Sequence, residues 1–284
     1  SAISIKNQRA KTAQPCIVSV SPQPYTFVHS VEVHGKSEFS TGSLKEYSTI
    51  SDYSQLTPEK VLAFQQVNDA QISPDGNRTA YVISDSFKQK RPWAHSSIWL
   101  IHNAHGTPQQ ITTGTATDSL PRWSPDGTQL AFLSDRIQQG QRQLFRLSIT
   151  GGEAFPLTNV KGSIPCPRGL NSIQWSPDGM KLAFLMEAPD PKNQRRGTPI
   201  RSDVIEFEKT PRFVQLWTVD LSTQEVQCVS PPGLQIWEFC WHPDGNQFAV
   251  VASDLPWEWS WYSNYLALLT SEGEHQVIRQ SRRQ

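Results

Sequence analysis

The side chains that could do chemistry fall into three groups. Four aspartates, Asp75, Asp126, Asp178 and Asp244, each stand between a proline and a glycine, and a repeated carboxylate raises the question of calcium. Calcium loops need alternate oxygen ligands that these segments lack, and turn formation already accounts for the aspartates. Seven histidines and four cysteines (Cys16, Cys166, Cys228, Cys240) are scattered without His-x-x-x-His or Cys-x-x-Cys spacing, so no metal site and no cofactor is assigned. Cys228 and Cys240 could meet within the fourth repeat, but buried free thiols are the expectation. The third group is Trp257-Glu258-Trp259-Ser260-Trp261-Tyr262, which puts aromatic surface where connections ordinarily keep polar residues. Packing against a neighbouring sheet or a further domain is expected for it, with substrate contact as the alternative. Asp135-Arg136 reads as a loop-ordering pair, and Asn77-Arg78-Thr79 as a glycosylation sequon that matters only in a secreted protein.

The aspartates belong to a phrase that occurs four times. It reads Ile72-Ser73-Pro74-Asp75-Gly76, Trp123-Ser124-Pro125-Asp126-Gly127, Trp175-Ser176-Pro177-Asp178-Gly179 and Trp241-His242-Pro243-Asp244-Gly245, each followed by an alanine (Ala80, Ala131, Ala183, Ala249) in a short apolar run. Proline sets the first central dihedral of a turn, aspartate tolerates the second, and glycine takes the positive dihedral that closes a hairpin. The strand after each turn is apolar at consecutive positions, which suits a strand covered on both faces. The glycines are 51, 52 and 66 residues apart, leaving room for a third strand (Ile98-Trp99-Leu100-Ile101, Leu144-Phe145-Arg146-Leu147, Leu216-Trp217-Thr218-Val219, Tyr265-Leu266-Ala267-Leu268) and a weaker fourth such as Gln109-Gln110-Ile111-Thr112. Four strands per repeat make the blade of an all-β propeller, with blades near residues 69–116, 119–160, 171–231 and 236–284. Trp123, Trp175 and Trp241 end first strands and are expected to pack between sheets.

Bulk composition limits the partners. The chain has 284 residues, 37% hydrophobic and 10% aromatic, with 26 basic and 26 acidic side chains, which suits an ordinary globular protein and argues against a nucleic-acid partner. No apolar stretch approaches the length of a membrane helix, no signal-peptide core is present, and a cytoplasmic location is the default. Residues 1–54 are rich in Ser, Thr, Gln and Lys and are expected to form a loosely ordered leader. Within it, residues 25–33 have strand composition and could pair with an open blade edge. A short helix should start at Thr57-Pro58-Glu59, with Thr57 as its N-cap, so the propeller is placed at residues 55–284.

Residues 56–84, a Thr-Pro-Glu helix running into Ile-Ser-Pro-Asp-Gly and an Ala-Tyr-Val strand, resemble the opening of the propeller domain of the prolyl oligopeptidase family. The similarity is greatest to its acylaminoacyl-peptidase and dipeptidyl-aminopeptidase branch. A second match lies at residues 203–221, while the Pro-Asp-Gly phrase alone also resembles TolB-like propellers. The resemblance implies a peptide substrate and a partner α/β-hydrolase domain after the propeller, with a serine on a Gly-x-Ser-x-Gly turn. The nearest approach, Gly35-Lys36-Ser37-Glu38-Phe39, lacks the second glycine and precedes the propeller. No catalytic residue is carried over, and no substrate-binding residue is assigned.

Four blades either close a small ring or form the first half of a larger one, and the match to a family opening favours an incomplete ring. Residues just before the turns on innermost strands, Asp69, Ser119, Asn171 and Trp237, are candidates to line a channel. The longest interval carries extra residues between its second and third strands, at residues 187–212, expected on the face opposite the Pro-Asp-Gly turns and near the channel mouth. The sequence reads as a non-catalytic propeller portion that gates peptide access, or alternatively as a stand-alone TolB-like interaction scaffold. The chain by itself is expected to turn over neither acyl-amino-acid nor aminoacyl nitroanilides; turnover abolished by a serine-directed inhibitor would contradict this.

Overall fold

The computed structural model describes residues 57–86, 95–104, 106–161, 163–165, 172–187 and 211–280. The helix α1 (Pro58–Leu62) starts where its cap demands, with the Lys60 N–H donating to Thr57 Oγ1 at 3.3 Å. Four antiparallel sheets of four strands follow, with consecutive strands as neighbours. The first holds β1 (Gln65–Ile72), β2 (Arg78–Asp85), β3 (Ser96–His102) and β4 (Gln109–Gln110), and the second β5 (Asp118–Trp123), β6 (Gln129–Gln138), β7 (Gln141–Ser148) and β8 (Phe155–Pro156). The third holds β9 (Ile173–Trp175), β10 (Lys181–Glu187), β11 (Val214–Asp220) and β12 (Val226–Cys228), and the fourth β13 (Gln235–Trp241), β14 (Gln247–Ser253), β15 (Tyr265–Thr270) and β16 (His275–Gln280). β1 begins ahead of residue 69 because a bulge between Asn68 and Gln71 breaks its alternation. The leader, Asn171 and residues 188–210 lie outside the described residues. The pairing of Glu187 with Val214 roots that long connection at the end of the third sheet away from its Pro-Asp-Gly turn.

The repeated phrase builds the same turn each time. Gly76, Gly127, Gly179 and Gly245 have φ of 73°, 69°, 72° and 76°, a conformation that only glycine adopts without strain. In the first three turns a serine is the hub. The Ser124 hydroxyl donates to Asp126 and accepts the Gln129 N–H at 2.9 Å, and Ser73 and Ser176 repeat both contacts with Asp75 and Arg78 and with Asp178 and Lys181. All three are buried. The fourth turn has exposed His242 instead, its Nδ1 2.9 Å from Asp244 Oδ1.

Alternation sorts each central strand between two neighbours. Phe132 on β6 joins Val82, Ile98 and Phe145 in a core shared with the first sheet, whereas Ala131 and Leu133 join Ile173, Leu182 and Phe184 of the third. On β10, Ala183 and Leu185 turn instead to Phe248, Val250 and Ala267 of the fourth. The tryptophans complete each junction. Trp123 Nε1 donates to Gln71 O at 2.9 Å, Trp175 Nε1 to Arg122 O at 2.9 Å, and Trp241 Nε1 to Gln174 O at 3.3 Å. The turns themselves stack. A Cβ placed on Gly127 would lie 3.5 Å from Pro74, one on Gly179 3.6 Å from Pro125, and one on Gly245 3.9 Å from Pro177.

Strand-to-strand packing joins β1 with β5, β5 with β9, and β11 with β13, and among the described residues no comparable contact joins the fourth sheet to the first. The result is an open run of four blades. The consecutive apolar residues are thus covered on both faces in β6 and β10, while β2 and β14 bury one face and leave Ile83 or Val251 half-exposed on the other. The two cysteines are less buried than expected. Cys228 ends the third sheet, where burial raises its thiol pKa, and Cys240 is exposed on the outer side of the fourth; among the described residues neither forms a disulfide.

Hydrogen bonds hold the turn carboxyls below their ordinary range: Asp75, bonded first by the Ser73 hydroxyl and then by the Asn77 N–H, falls from 3.8 to about 2. The Ser124 and Ser176 hydroxyls lower Asp126 and Asp178 in the same way, and the Asn246 N–H leads in lowering Asp244. A carboxyl depressed by folding stabilises fully above its unfolded value and loses that contribution as pH falls through the folded one. Urea midpoints should therefore decline as pH falls from about 4 toward about 2. Ser124→Ala should cost about 1–3 kcal/mol at neutral pH and flatten part of that decline, while His242→Ala, at an exposed hub, should cost about 0.5 kcal/mol or less.

Candidate functional site

The innermost strands place their side chains through bulges. Asp69 sits in the β1 bulge at φ 47° and Leu120 in the matching β5 bulge at φ 54°. Both are left-handed values that a non-glycine residue keeps only where its surroundings enforce them. The enforcement at Asp69 is visible: Arg122 Nη1 lies 3.0 and 2.9 Å from its two carboxylate oxygens and 2.8 Å from Pro121 O, and Gln71 Nε2 donates to the same carboxylate at 3.0 Å. The pair is mostly buried, with side chains 13% and 20% exposed. Asp69, expected to line a channel, is thus tied across the first two sheets. Arg122 escaped the sequence reading, although a charge in a position held elsewhere by Gln71, Gln174 and Cys240 was the signal that could have found it.

Asp135 and Arg136 both order loops, as expected, but with different partners. Asp135 accepts the Thr117 N–H at 2.7 Å and the Gly140 N–H at 3.0 Å. Arg136 pairs with fully buried Asp118 at 3.0 Å while its guanidinium lies 5.2 Å from the Phe132 ring centroid and 4.9 Å from that of Phe145. Charge neutralisation and cation–π contact together allow an arginine at this edge of the core. His95 and Gln139 complete a cavity of about 300 Å³ around these groups.

The tryptophan cluster forms the larger concavity. Residues Glu258–Ser263 make a 3₁₀ helix between β14 and β15, anchored by Ser260, which is 1% exposed. The Ser260 hydroxyl lies 2.6 Å from the carbonyls of both Leu255 and Trp257 and 3.2 Å from Ser253 Oγ. Trp237 joins from β13, twenty residues earlier: its indole N–H donates to Ser253 Oγ at 2.9 Å, and its ring meets Trp261 edge to face at 5.4 Å. The cleft they enclose has about 740 Å³ and includes Trp257, Glu258, Trp259 and Tyr262 in its lining. Two separate sequence candidates, Trp237 for the channel and the aromatic cluster for contact, are here one surface. Its walls can hold an apolar or aromatic group, with the Glu258 carboxylate at hand for a cation.

Other candidates stay apart from this cleft. The Ser119 hydroxyl, on β5, is buried without a hydrogen-bond partner among the described residues. His95 Nδ1 contacts Gly114 O at 3.1 Å, and His242 serves its own turn. The Tyr265 hydroxyl donates a hydrogen bond to Asp254 at 2.8 Å, and burial first and that carboxylate second push its pKa upward. Among the described residues no group of three or more His, Cys, Asp or Glu converges as metal ligands would.

Comparison with known proteins agrees with the repeat. A family model described as TolB beta propeller domain matches residues 49–195. The uncharacterized peptidase YuxL of Bacillus subtilis (strain 168) is 40% identical over 127 residues, covering 45% of this chain and 18% of that protein. Dipeptidyl-peptidase 5 of Porphyromonas endodontalis is 25% identical over 149 residues, covering 52% of this chain and 20% of that protein. The chain thus spans about a fifth of the length of these curated relatives. Among solved structures, Pyrococcus horikoshii acylaminoacyl peptidase superposes with a TM-score of 0.53 at 18% identity, covering 77% of this chain and 33% of that one, a likeness of fold.

The cleft makes its own prediction. Trp261→Ala should lower stability by about 0.5–1.5 kcal/mol for the lost ring pair, beyond the apolar area given up. Tyr262→Ala, at a residue 83% exposed, should stay within about 0.5 kcal/mol of the parent. Urea unfolding followed by tryptophan fluorescence distinguishes the two.

Proposed function

The chain belongs to the TolB β-propeller family, and from that premise we propose that it is the non-catalytic propeller portion of a serine peptidase of acylaminoacyl-peptidase or prolyl oligopeptidase type. In this reading the blades restrict which peptides reach a C-terminal α/β-hydrolase domain lying outside these 284 residues. The observation that carries it is the 40% identity to a peptidase of which the matched blades form only 18%. The bulged inner strands and the aromatic cleft supply the contacts: Asp69 and Arg122 brace the inner edge, and the Trp237–Trp261 surface meets apolar peptide side chains. The long connection at residues 188–210 adds to the gate or docks the hydrolase domain. No helix among the described residues is long and apolar enough to cross a membrane, and a cytoplasmic setting is part of the proposal.

A second reading, a TolB-like scaffold that binds a protein and catalyses nothing, draws support from the breadth of the TolB match, which is not specific to peptidases. The reading frame beyond the Gln284 codon separates the two. A Gly-x-Ser-x-Gly hydrolase domain there is the expected outcome, and a stop codon with an intact mass equal to this chain would favour the scaffold. In the full-length polypeptide, Trp237→Ala should change kcat/KM for long peptides roughly tenfold relative to a short acyl-amino-acid nitroanilide. Equal effects on both substrates would remove the gating role.

A further inference from the structure

The aromatic cleft combines a fixed ring geometry with charge of one sign. Trp237 is pinned by its indole N–H to Ser253 Oγ, and Ser253 in turn meets Ser260, the buried anchor of the 3₁₀ helix. Its ring cannot turn without breaking that bond, and it stands 86° from the ring of Trp261 with centroids 5.4 Å apart. Two indoles near a right angle bound a corner with their π faces, and Trp257, Trp259 and Tyr262 extend the walls. The face of an aromatic ring is the negative part of its quadrupole. The one charged side chain among the lining residues is the carboxylate of Glu258, and no basic side chain is among them. Elsewhere the chain supplies aromatic faces with its own arginines: Arg78 lies 5.4 Å from the Trp123 ring centroid, Arg146 5.4 Å from that of Phe155, and Arg136 covers Phe132 and Phe145. Among the described residues no cation stands over Trp237, Trp257 or Trp261.

The cleft is set apart from the faces on which sheets stack. It opens at the rim where second strands pass into third strands: the 3₁₀ helix joins β14 to β15, and Trp237 stands near the start of β13, where Gln235 pairs with Ser253. The second sheet, onto which the third is stacked, keeps the corresponding rim in water, with Ile137 55% exposed and Gln138 and Gln139 exposed beside it. A following sheet thus covers strand faces and leaves this rim open. We propose that the cleft is a cation-recognition site whose ligand is the ammonium or guanidinium end of a basic peptide side chain. The alkyl stem lies along the indole walls, the charge sits in the corner between the π faces of Trp237 and Trp261, and Glu258 is its counter-ion. A purely apolar side chain gains only the first of these contacts. The inference deepens the peptide-gating reading, and it rests on that reading for the source of the cation, a peptide instead of a free amine.

Isothermal titration calorimetry of the full chain with blocked alanine pentapeptides carrying lysine, arginine or norleucine at the centre tests it. Norleucine matches the lysine stem and lacks the charge. The lysine and arginine peptides should bind about three- to tenfold tighter than the norleucine peptide, and choline should exceed its uncharged isostere dimethylbutanol by a similar margin. Trp261→Leu keeps apolar bulk and removes a π face, so it should abolish most of that preference while affinity for the norleucine peptide stays within about twofold. Glu258→Gln, at an exposed position, should weaken binding of the cations about two- to threefold and make it less sensitive to salt than in the parent. Circular dichroism melts establish that each variant folds. Lysine and norleucine peptides that bind equally well overturn the inference and leave an apolar peptide cleft in place. Choline binding without binding of any peptide keeps the cation site and overturns the peptide-gating reading. A chain that binds none of these probes, or a folded Trp261→Leu chain with its preference for cations intact, overturns the site itself.

Discussion

Each of the three later sheets is fastened to its predecessor by a hydrogen bond that cannot form within one repeat. The indole N–H that ends one first strand reaches the backbone carbonyl beside the equivalent position of the strand before it. That carbonyl is oriented by the register of its own hairpin, which depends on the turn glycine and on the serine hub beneath it. A donor between sheets is better satisfied by a carbonyl than left unpaired, so each junction tryptophan favours this stacking. The rest of the architecture follows from this: the apolar residues of β6 and β10 divide between two cores, and the proline of each turn lies against the glycine of the next.

Much of this was legible because it repeats. A turn written four times with an alanine at a constant offset fixed the hairpins, and the doubled apolar pattern of the second strands implied stacked sheets before any coordinate was known. Three things escaped for physical reasons. The inner-strand bulges lengthen a strand by a residue without a compositional mark, which hid the start of β1 and the pairing of Asp69 with Arg122. Cys240 was expected to be buried, as a cysteine in a strand usually is, yet its burial depends on whether a neighbouring sheet covers that face. The union of Trp237 with the cluster twenty residues later depends on the long reach of an indole across an inner bulge, and spacing alone does not encode it.

The functional reading is one of selection instead of reaction. The Ser260 hydroxyl beneath the aromatic cluster is committed to backbone carbonyls and serves as an anchor for the 3₁₀ helix. The arginines of the inner region are likewise committed, Arg122 to Asp69 and Arg136 to Asp118. At the aromatic cleft the described residues present shape and apolar surface, the properties that the proposed role of sorting peptides by side chain would use. The proposed placement of these blades beside a catalytic unit is supported by the small share of the related peptidases that they match.

The stacking of turn on turn also bears on how such a molecule can change over generations. Because Pro74 lies over Gly127, Pro125 over Gly179 and Pro177 over Gly245, the repeats among the described residues pack each on the one before and the one after, and a lattice of nearest neighbours has no central element whose loss collapses the rest. A duplicated repeat enters such a run with its own fastening already written into it, and a deleted one lets its neighbours meet across the same set of contacts. The phrase Trp-Ser-Pro-Asp-Gly is therefore a heritable joint: blade number can drift by whole units while every surviving junction keeps its geometry.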